Sequence, residues 1–301
     1  MSLAVILLNW RNEQQTLRCA RAITAWEKLK PRLYVIDNES SEATRAALAA
    51  VLAPESLIHS PLNLGYAGGN NLGIRRALAA QCRYILLHNS DAEISEAGVS
   101  NLLERLDANP QIAILGPVIR ETRDGRPQLL AGGRNVARYL TTKARMPAGD
   151  PKRLAGYPLT AVDYIPGTVF LARADVFTDI GLLDEEYFFS GEIADFCKRA
   201  QAGGRKSHVD LEVEAQHHPA QAAARMRDTL YVYYGFRNRF LFVTRHHATE
   251  RTRYFACWTV IGMLALMRAL VLGRAGKARA IGLALADAYA GRYGNRNASF
   301  L

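Results

Sequence analysis

Strand and helix signals alternate over roughly the first 110 residues, and this pattern constrains the fold more than any other feature. Leu3–Leu8 is a continuous apolar run, as expected of a strand covered on both faces. Residues 13–29 carry apolar positions at helical spacing (Leu17, Ala20, Ile23, Ala25, Leu29), and Pro31 follows. Leu33–Ile36 reads as a second strand, and Ser40 or Ser41 as the cap of a helix running to about Leu52. A short strand at Leu57–Ile58, a Gly/Asn-rich loop over 61–70 and a helix from Asn71 to about Ala80 come next. Tyr84–His88 is another apolar strand. Such alternation specifies an α/β domain with a mainly parallel sheet and right-handed crossovers.

In sheets of this kind ligands bind beyond the carboxyl ends of the strands. Asn9, Asp37, the Asn63–Asn71 block and Asp91 all follow strand candidates, so the polar residues gather on one sheet edge. Residues 120–165 hold Gly125, Pro127, Gly132, Gly133, Pro147, Gly149, Pro151 and Pro158 and read as a loop-rich insertion. A strand is expected over 168–173 and a helix over 192–203, and the pattern turns helical from about Ala220. The chain of 301 residues is thus read as an α/β domain over 1–219 and a helical region over 220–301.

Charge separates the same two parts. Residues 217–301 hold 13 Lys+Arg against 3 Asp+Glu, which accounts for the whole net charge of +10. A basic tail favours an anionic partner. Tyr231, Tyr234, Phe236, Phe240 and Phe242 lie among Arg225, Arg227, Arg237, Arg239 and Arg245. Phe255–Met267 is free of charge but shorter than the ~20 apolar residues that span a bilayer. It suits an interfacial or a buried helix, and a dimer interface is a further use for such a tail. Neither an RNP-like nor a helix-turn-helix signature supports nucleic acid as the partner. The apolar run at the start is short for a signal-peptide core. Cys19, Cys82, Cys197 and Cys257 show no zinc or C-x-x-C spacing, so reduced thiols of a cytoplasmic protein are expected.

Four stretches can carry chemistry. Asp91 and Glu93, one residue apart after a strand, suit one hard divalent cation shared with substrate phosphates; the alternative is an acidic helix start capped by Ser95. In Asn63-Leu64-Gly65-Tyr66-Ala67-Gly68-Gly69-Asn70-Asn71 the glycines permit close backbone approach to a ligand, and the following helix offers free N–H groups to an anion. The spacing is not that of a dinucleotide fingerprint. Asp37 can accept a hydrogen bond from a base or ribose, or merely precede a helix cap. Glu192 stands in the first turn of a helix behind Tyr187, Phe188 and Phe189, as a general base or as compensation for the helix dipole. The His217-His218 pair has no partner at metal-motif spacing.

Taken in order, VILLNWRN (5–12), VIDNESSE (35–42), NLGYAGGNNLGI (63–74), LLHNSDAEI (86–94), PGTVFLARADVF (166–177), IGLLDEEYFFSGEIADFCKRA (180–200) and YYGFRNRFLFVTRHH (233–247) resemble the family 2 glycosyltransferases, in the branch of bacterial rhamnosyltransferases. The resemblance covers nearly the whole chain. It implies a GT-A fold, a UDP-, dTDP- or GDP-sugar donor, Mg²⁺ or Mn²⁺, inversion at the anomeric carbon and a glycan or lipid-linked acceptor. By matching position Asp37 contacts the base with Asn9 nearby. Asn63, Gly65, Gly68, Gly69 and Asn70 lie along the nucleotide, and Asp91 and Glu93 hold the metal. It also implies a protein peripheral to the cytoplasmic face of the inner membrane. One departure stands out: the family's Glu-Asp-x-Asp reads Glu192-Ile193-Ala194-Asp195 here, with Ile193 where the usual base stands. Glu192 or Asp195 then serves as the base, or the protein is a catalytically silent binding or assembly protein. His217 or His218 falls at the family's later His motif.

Overall fold

The computed structural model describes residues 2–123, 126–133, 145–146, 159–218 and 224–300. The apolar runs become the central strands. These are β1 (Leu3–Asn9), β2 (Arg32–Asn38), β3 (Leu57–Ser60) and β4 (Tyr84–Asn89), all parallel, in the order β3-β2-β1-β4. Val5, Ile6, Leu7, Ile85, Leu86 and Leu87 are all inaccessible to solvent, because helices cover both faces. α1 (Glu13–Thr24) and α2 (Glu42–Ala49) connect the strands, and α3 (Gly65–Ala79) returns the chain to β4. Strand order reverses at β1, so the crevice for a ligand opens beyond the carboxyl ends of β1 and β4.

Beyond β4 the sheet becomes mixed. After β5 (Ala92–Glu93) and α4 (Glu96–Ala108) come β6 (Ile112–Arg123), β7 (Arg126–Leu130), β8 (Arg145–Met146), β9 (Leu159–Val162), β10 (Val169–Arg173) and β11 (Lys206–His217). β10 runs antiparallel between β4 and β6, and β11 runs parallel to β6 with a register shift between Asp210 and Glu214. β11 has no counterpart in the sequence reading. Of the insertion expected over 120–165, β6, β7 and β9 form sheet; Gly125, Pro147, Gly149, Pro151 and Pro158 lie outside the described residues. So does the boundary at 219/220.

The expected loop over 61–70 is a correction. Gly65 to Asn70 already belong to α3, and the helix begins six residues earlier than Asn71. Glycine is a poor helix former, so local propensity hid the helix; packing decides it. A Cβ on Gly73 would stand 2.6 Å from Ile6 Cγ2, and one on Gly69 would overlap Leu8. The glycines let this helix press against β1.

α5 (Ala174–Ile180) and α6 (Glu192–Ala202) pack on the same layer as α3, and the C-terminal region forms α7 (Ala224–His246), α8 (Arg251–Val271) and α9 (Ala275–Tyr289). One apolar cluster joins Ile193 and Phe196 of α6 to Phe240 of α7, Phe255 and Trp258 of α8 and Ile281 of α9. The two parts read from the sequence therefore share a core. α8 exceeds the charge-free run seen in the sequence: Ala248–Val271 is 24 residues, long and apolar enough to cross a bilayer by length and composition. Only 22% of its apolar window is buried.

Gly65 adopts a positive φ of +70° with the Phe188 carbonyl where its Cβ would be. Gly65→Ala is expected to cost about 1–3 kcal/mol through overpacking against that backbone. Gly235→Ala, with open space at the site on α7, should stabilise by about 0.5–1 kcal/mol. Urea midpoints at constant m-value measure both.

Candidate active site

A cavity of about 210 Å³ opens at the carboxyl edge of the parallel strands. Leu8, Trp10 and Asn12 line it from the end of β1, Asn38 from β2, and Asn89, Ser90 and Asp91 from β4. Phe188, Phe189, Leu230, Tyr234 and Asn297 form the facing wall. That wall comes from the loop before α6, from α7 and from the C-terminal segment. The structure thus adds Trp10, Asn12, Asn38, Tyr234 and Asn297 to the residues singled out in the sequence.

Asn63 and Gly65 reach the cavity. The Asn63 side-chain oxygen accepts from Asn38 Nδ2 at 3.1 Å and from the Gly65 N–H at 2.9 Å, while Asn38 Oδ1 accepts from the Leu64 N–H at 2.8 Å. Gly68, Gly69 and Asn70 fall on other sides of the helix. Gly68 faces Leu64 and Glu185, Gly69 faces Leu8, and Asn70 Nδ2 donates to the Tyr66 carbonyl. None of the three lines the cavity. Close approach is what these glycines provide, but to the sheet and the loop.

Asn9 is fully buried and spends its amide inside the fold, donating to Ser40 Oγ and accepting from Thr16, both at 3.0 Å. Asp37 is also fully buried, with Oδ2 2.9 Å from His59 Nδ1. Its Oδ1 has no hydrogen-bond partner. A buried acceptor left unmade costs about 1–3 kcal/mol; Asp37 does not itself line the cavity, which its neighbour Asn38 reaches.

Asp91 and Glu93 both border a second cavity of about 670 Å³. Of the two, only Asp91 also borders the cavity described above. Glu93 is half-exposed and ion-paired with Arg18. His217, at the end of β11, is the closer companion of Asp91: its Nε2 is 3.4 Å from Asp91 Oδ1, and its Nδ1 3.3 Å from Glu121 Oε2. Burial alone would lower the imidazole pKa, but the two carboxylates outweigh it and raise it. A histidine ligand holds a carboxylate with the ring nitrogen turned away from the metal; His217 Nδ1 meets Glu121 in this way, and its buried Nε2 makes no hydrogen bond among the described residues. Among the described residues no three His, Cys, Asp or Glu side chains form a closed cage. Asp91 and His217 therefore fit an open cation site completed by phosphate oxygens.

The two candidate bases have separated. Asp195 is buried and saturated: Arg199 Nε lies at 2.8 Å, His246 Nε2 at 2.7 Å and Tyr187 Oη at 3.4 Å. Burial would raise its pKa, but His246 and Arg199 pull it below the usual carboxylate value. Glu192 is equally buried, yet its Oε2 has no hydrogen-bond partner. Burial pushes its pKa up to about 7, with Asp195 adding to the rise; its own backbone N–H and that of Ser190 oppose it. Ile193 sits in the core beside Gly167. The loop that presents Glu192 is strained, with positive φ at Phe188 (60°), Ser190 (71°) and Gly191 (105°).

The model of the family described as "Glycosyl transferase family 2" matches residues 4–180. The chain belongs to this family. A low-salt glycan biosynthesis hexosyltransferase of Haloferax volcanii is 27% identical over 275 residues, 87% of this chain and 84% of the relative. The N-acetylglucosaminyl-diphospho-decaprenol L-rhamnosyltransferase of Mycobacterium tuberculosis is 24% identical over 263 residues, 80% and 83% of the two chains. In fold the chain resembles the mannosyltransferase PcManGT of Pyrobaculum calidifontis, solved with GDP-Man and Mn²⁺, at a TM-score of 0.55 and 14% identity over 96% of this chain and 86% of that one. It also resembles GalNAc-T7, solved with UDP, GalNAc and Mn²⁺, at a TM-score of 0.60 and 14% identity. That alignment covers 81% of this chain and about half, 48%, of GalNAc-T7. The fold is GT-A, and the family 2 chain is a glycosyltransferase.

Glu192 gives a pH signature of its own. Between about pH 4.5 and 7 the folded protein holds a proton there that the unfolded chain has released. The stability so gained is present at low pH and lost as pH rises through about 7. Glu192→Gln should therefore match the wild type at pH 4.5 and exceed it by up to about 3 kcal/mol at pH 8. Denaturant melts at the two pH values check the sign.

Proposed function

We propose that this glycosyltransferase moves a sugar from a nucleoside-diphosphate sugar to a glycan or lipid-linked acceptor in one inverting displacement, with Glu192 as the base. The carrying observation is the buried carboxylate of Glu192: it has an unpartnered oxygen and a pKa near 7, and it opens α6 directly after the loop whose Phe188 and Phe189 wall the cavity edged by Asp91. A base works best with a pKa near the working pH. Asp195, tied to Arg199 and His246, is unsuited to take a proton. The Glu192 environment also weighs against a silent protein, since a raised pKa with no structural partner is a cost that a scaffold has no use for.

The donor reading rests on Asn38, Asn63 and Asp91 along the cavity. Mg²⁺ or Mn²⁺ would be held by Asp91 and His217. Once bound it would offset the charge that grows on the leaving diphosphate. The chain's own residues do the rest. They fix donor and acceptor in line, keep water out with Phe188, Phe189 and Tyr234, and accept the acceptor's proton at Glu192. Names of relatives make a hexose, with rhamnose first, the donor to test.

The exposed side of α8 supports attachment to the cytoplasmic surface of a membrane. Val260, Met263, Leu264, Met267 and Val271 face outward at helical spacing, with Val271 82% exposed. Arg268, Arg274 and Lys277 stand beside them, also exposed. The opposite side is docked on the protein through Phe255 and Trp258, which favours a helix lying in the interface over one that spans. Each basic residue near an anionic leaflet adds about 1 kcal/mol.

A thermal-shift panel of UDP-, dTDP- and GDP-sugars with and without Mn²⁺ tests the donor site. One nucleotide should stabilise the protein in a metal-dependent manner, by about 2.7 kcal/mol at one hundred times its Kd. Asp91→Ala should lose the shift. No shift with any of them would sink the donor reading. For the membrane, Leu264→Asp combined with Val271→Asp should abolish cosedimentation with phosphatidylglycerol vesicles without changing the thermal shift; unchanged cosedimentation would refute attachment through α8.

A further inference from the structure

The C-terminal helix α7 does more than wall the cavity. Arg237 and Asn238, side by side on it, are buried at the loop that presents Glu192. Asn238 Nδ2 lies within hydrogen-bond distance of three carbonyls of that loop: Tyr187 at 2.9 Å, Phe189 at 2.9 Å and Ser190 at 2.6 Å. Arg237 donates to the carbonyls of Glu186 and Tyr187, each at 3.1 Å, and to the Gly294 carbonyl at 2.8 Å. Arg237 Nε also donates to Asn238 Oδ1 at 2.9 Å, which fixes the amide with its N–H₂ toward the loop.

Three residues of this loop sit at positive φ, two of them non-glycine. Each such residue costs on the order of 1–3 kcal/mol and persists only where its surroundings over-determine it. The asparagine amide supplies that over-determination. It gathers carbonyls that a relaxed chain would turn toward water. Ser190 is the joint: its carbonyl accepts from Asn238, and it stands two residues before Glu192, across Gly191 at φ 105°.

We propose that Asn238 is a positioning residue for the transfer reaction, holding the strained 187–191 loop that leads into Glu192 and so fixing where α6 presents its carboxylate. This inference rests on Glu192 being the base. It makes the helical region a part of the chemistry. Without the amide the loop relaxes, the surroundings of the buried carboxylate change, and the base moves out of line.

The test compares Asn238→Ala, Asn238→Ser and Glu192→Gln with the wild type. The readouts are release of nucleoside diphosphate from the sugar nucleotide chosen by the thermal-shift panel, the pH profile of that rate, and the thermal shift itself. In Asn238→Ala kcat should fall by about 10²-fold, as for a 1 Å misplacement of a catalytic group. Its acid limb should move from the wild-type position while the nucleotide thermal shift is retained. Asn238→Ser, with one hydroxyl donor for Ser190, should recover part of the rate, and it carries the test if the alanine variant is too unstable to assay. A merely structural role would lower the melting temperature and leave the acid limb in place. That outcome, with Glu192→Gln inactive, overturns the inference alone, as does loss of nucleotide binding together with activity. An active Glu192→Gln overturns the Glu192 reading and the inference with it.

Discussion

The Phe188 carbonyl occupies the place where any other residue at position 65 would carry its Cβ. It accepts the Tyr66 N–H at 2.7 Å and so joins the first turn of α3 to the loop before α6. Both halves of the cavity depend on this contact. On one side Gly65 continues into Asn63 and Asn38, which edge the parallel strands. On the other, Phe188 leads through Ser190 to Glu192. Asn71 fastens the same seam a turn further on, accepting from the Leu183 N–H and donating to the Leu183 carbonyl and to Glu185. Two segments more than a hundred residues apart are thereby held in register by backbone contacts that tolerate no side chain at one position.

Two carboxylates three residues apart on one helix illustrate how environment divides roles. Both are buried, and burial pushes both toward the protonated form. Asp195 escapes because a guanidinium and an imidazole meet it within hydrogen-bond distance. Among the described residues Glu192 meets no cationic side chain, keeps one oxygen unpartnered, and has its pKa pushed up to about 7. His246, which helps settle Asp195, comes from α7, so the division is made by the tertiary fold.

Legibility in the sequence followed the range of the forces involved. The parallel strands were plain, since residues such as Val5–Leu7 and Ile85–Leu87 must be apolar on both faces. The acidic strand ends Asp37 and Asp91 were plain for the same reason: polarity begins where the sheet stops. The start of α3 was hidden because Gly68 and Gly69 have low helix propensity, and only contact with Leu8 and Ile6 shows what they are for. β11 is legible locally in the strict apolar–polar alternation of Val209–Gln216, while its place in the sheet depends on pairing with residues some ninety positions away. His217 could be flagged but not assigned, since its carboxylate neighbours come from other strands. Tyr234 and Asn238 stood within a quoted motif, yet nothing local says that one walls a cavity and the other holds a distant loop.

The match to the family model ends at residue 180, before Glu192, Asn238 and Asn297. The wall facing the parallel strands is therefore built from the stretch that the family model does not describe. The chain is not a portable catalytic module with an exchangeable anchor. Grafting the last third of one such enzyme onto the first two thirds of another would replace the wall that faces the strand ends, together with the Asn238 contacts to the carbonyls of Tyr187, Phe189 and Ser190. One face of the cavity can then be rewritten through the helical region while the strand ends opposite stay as they are.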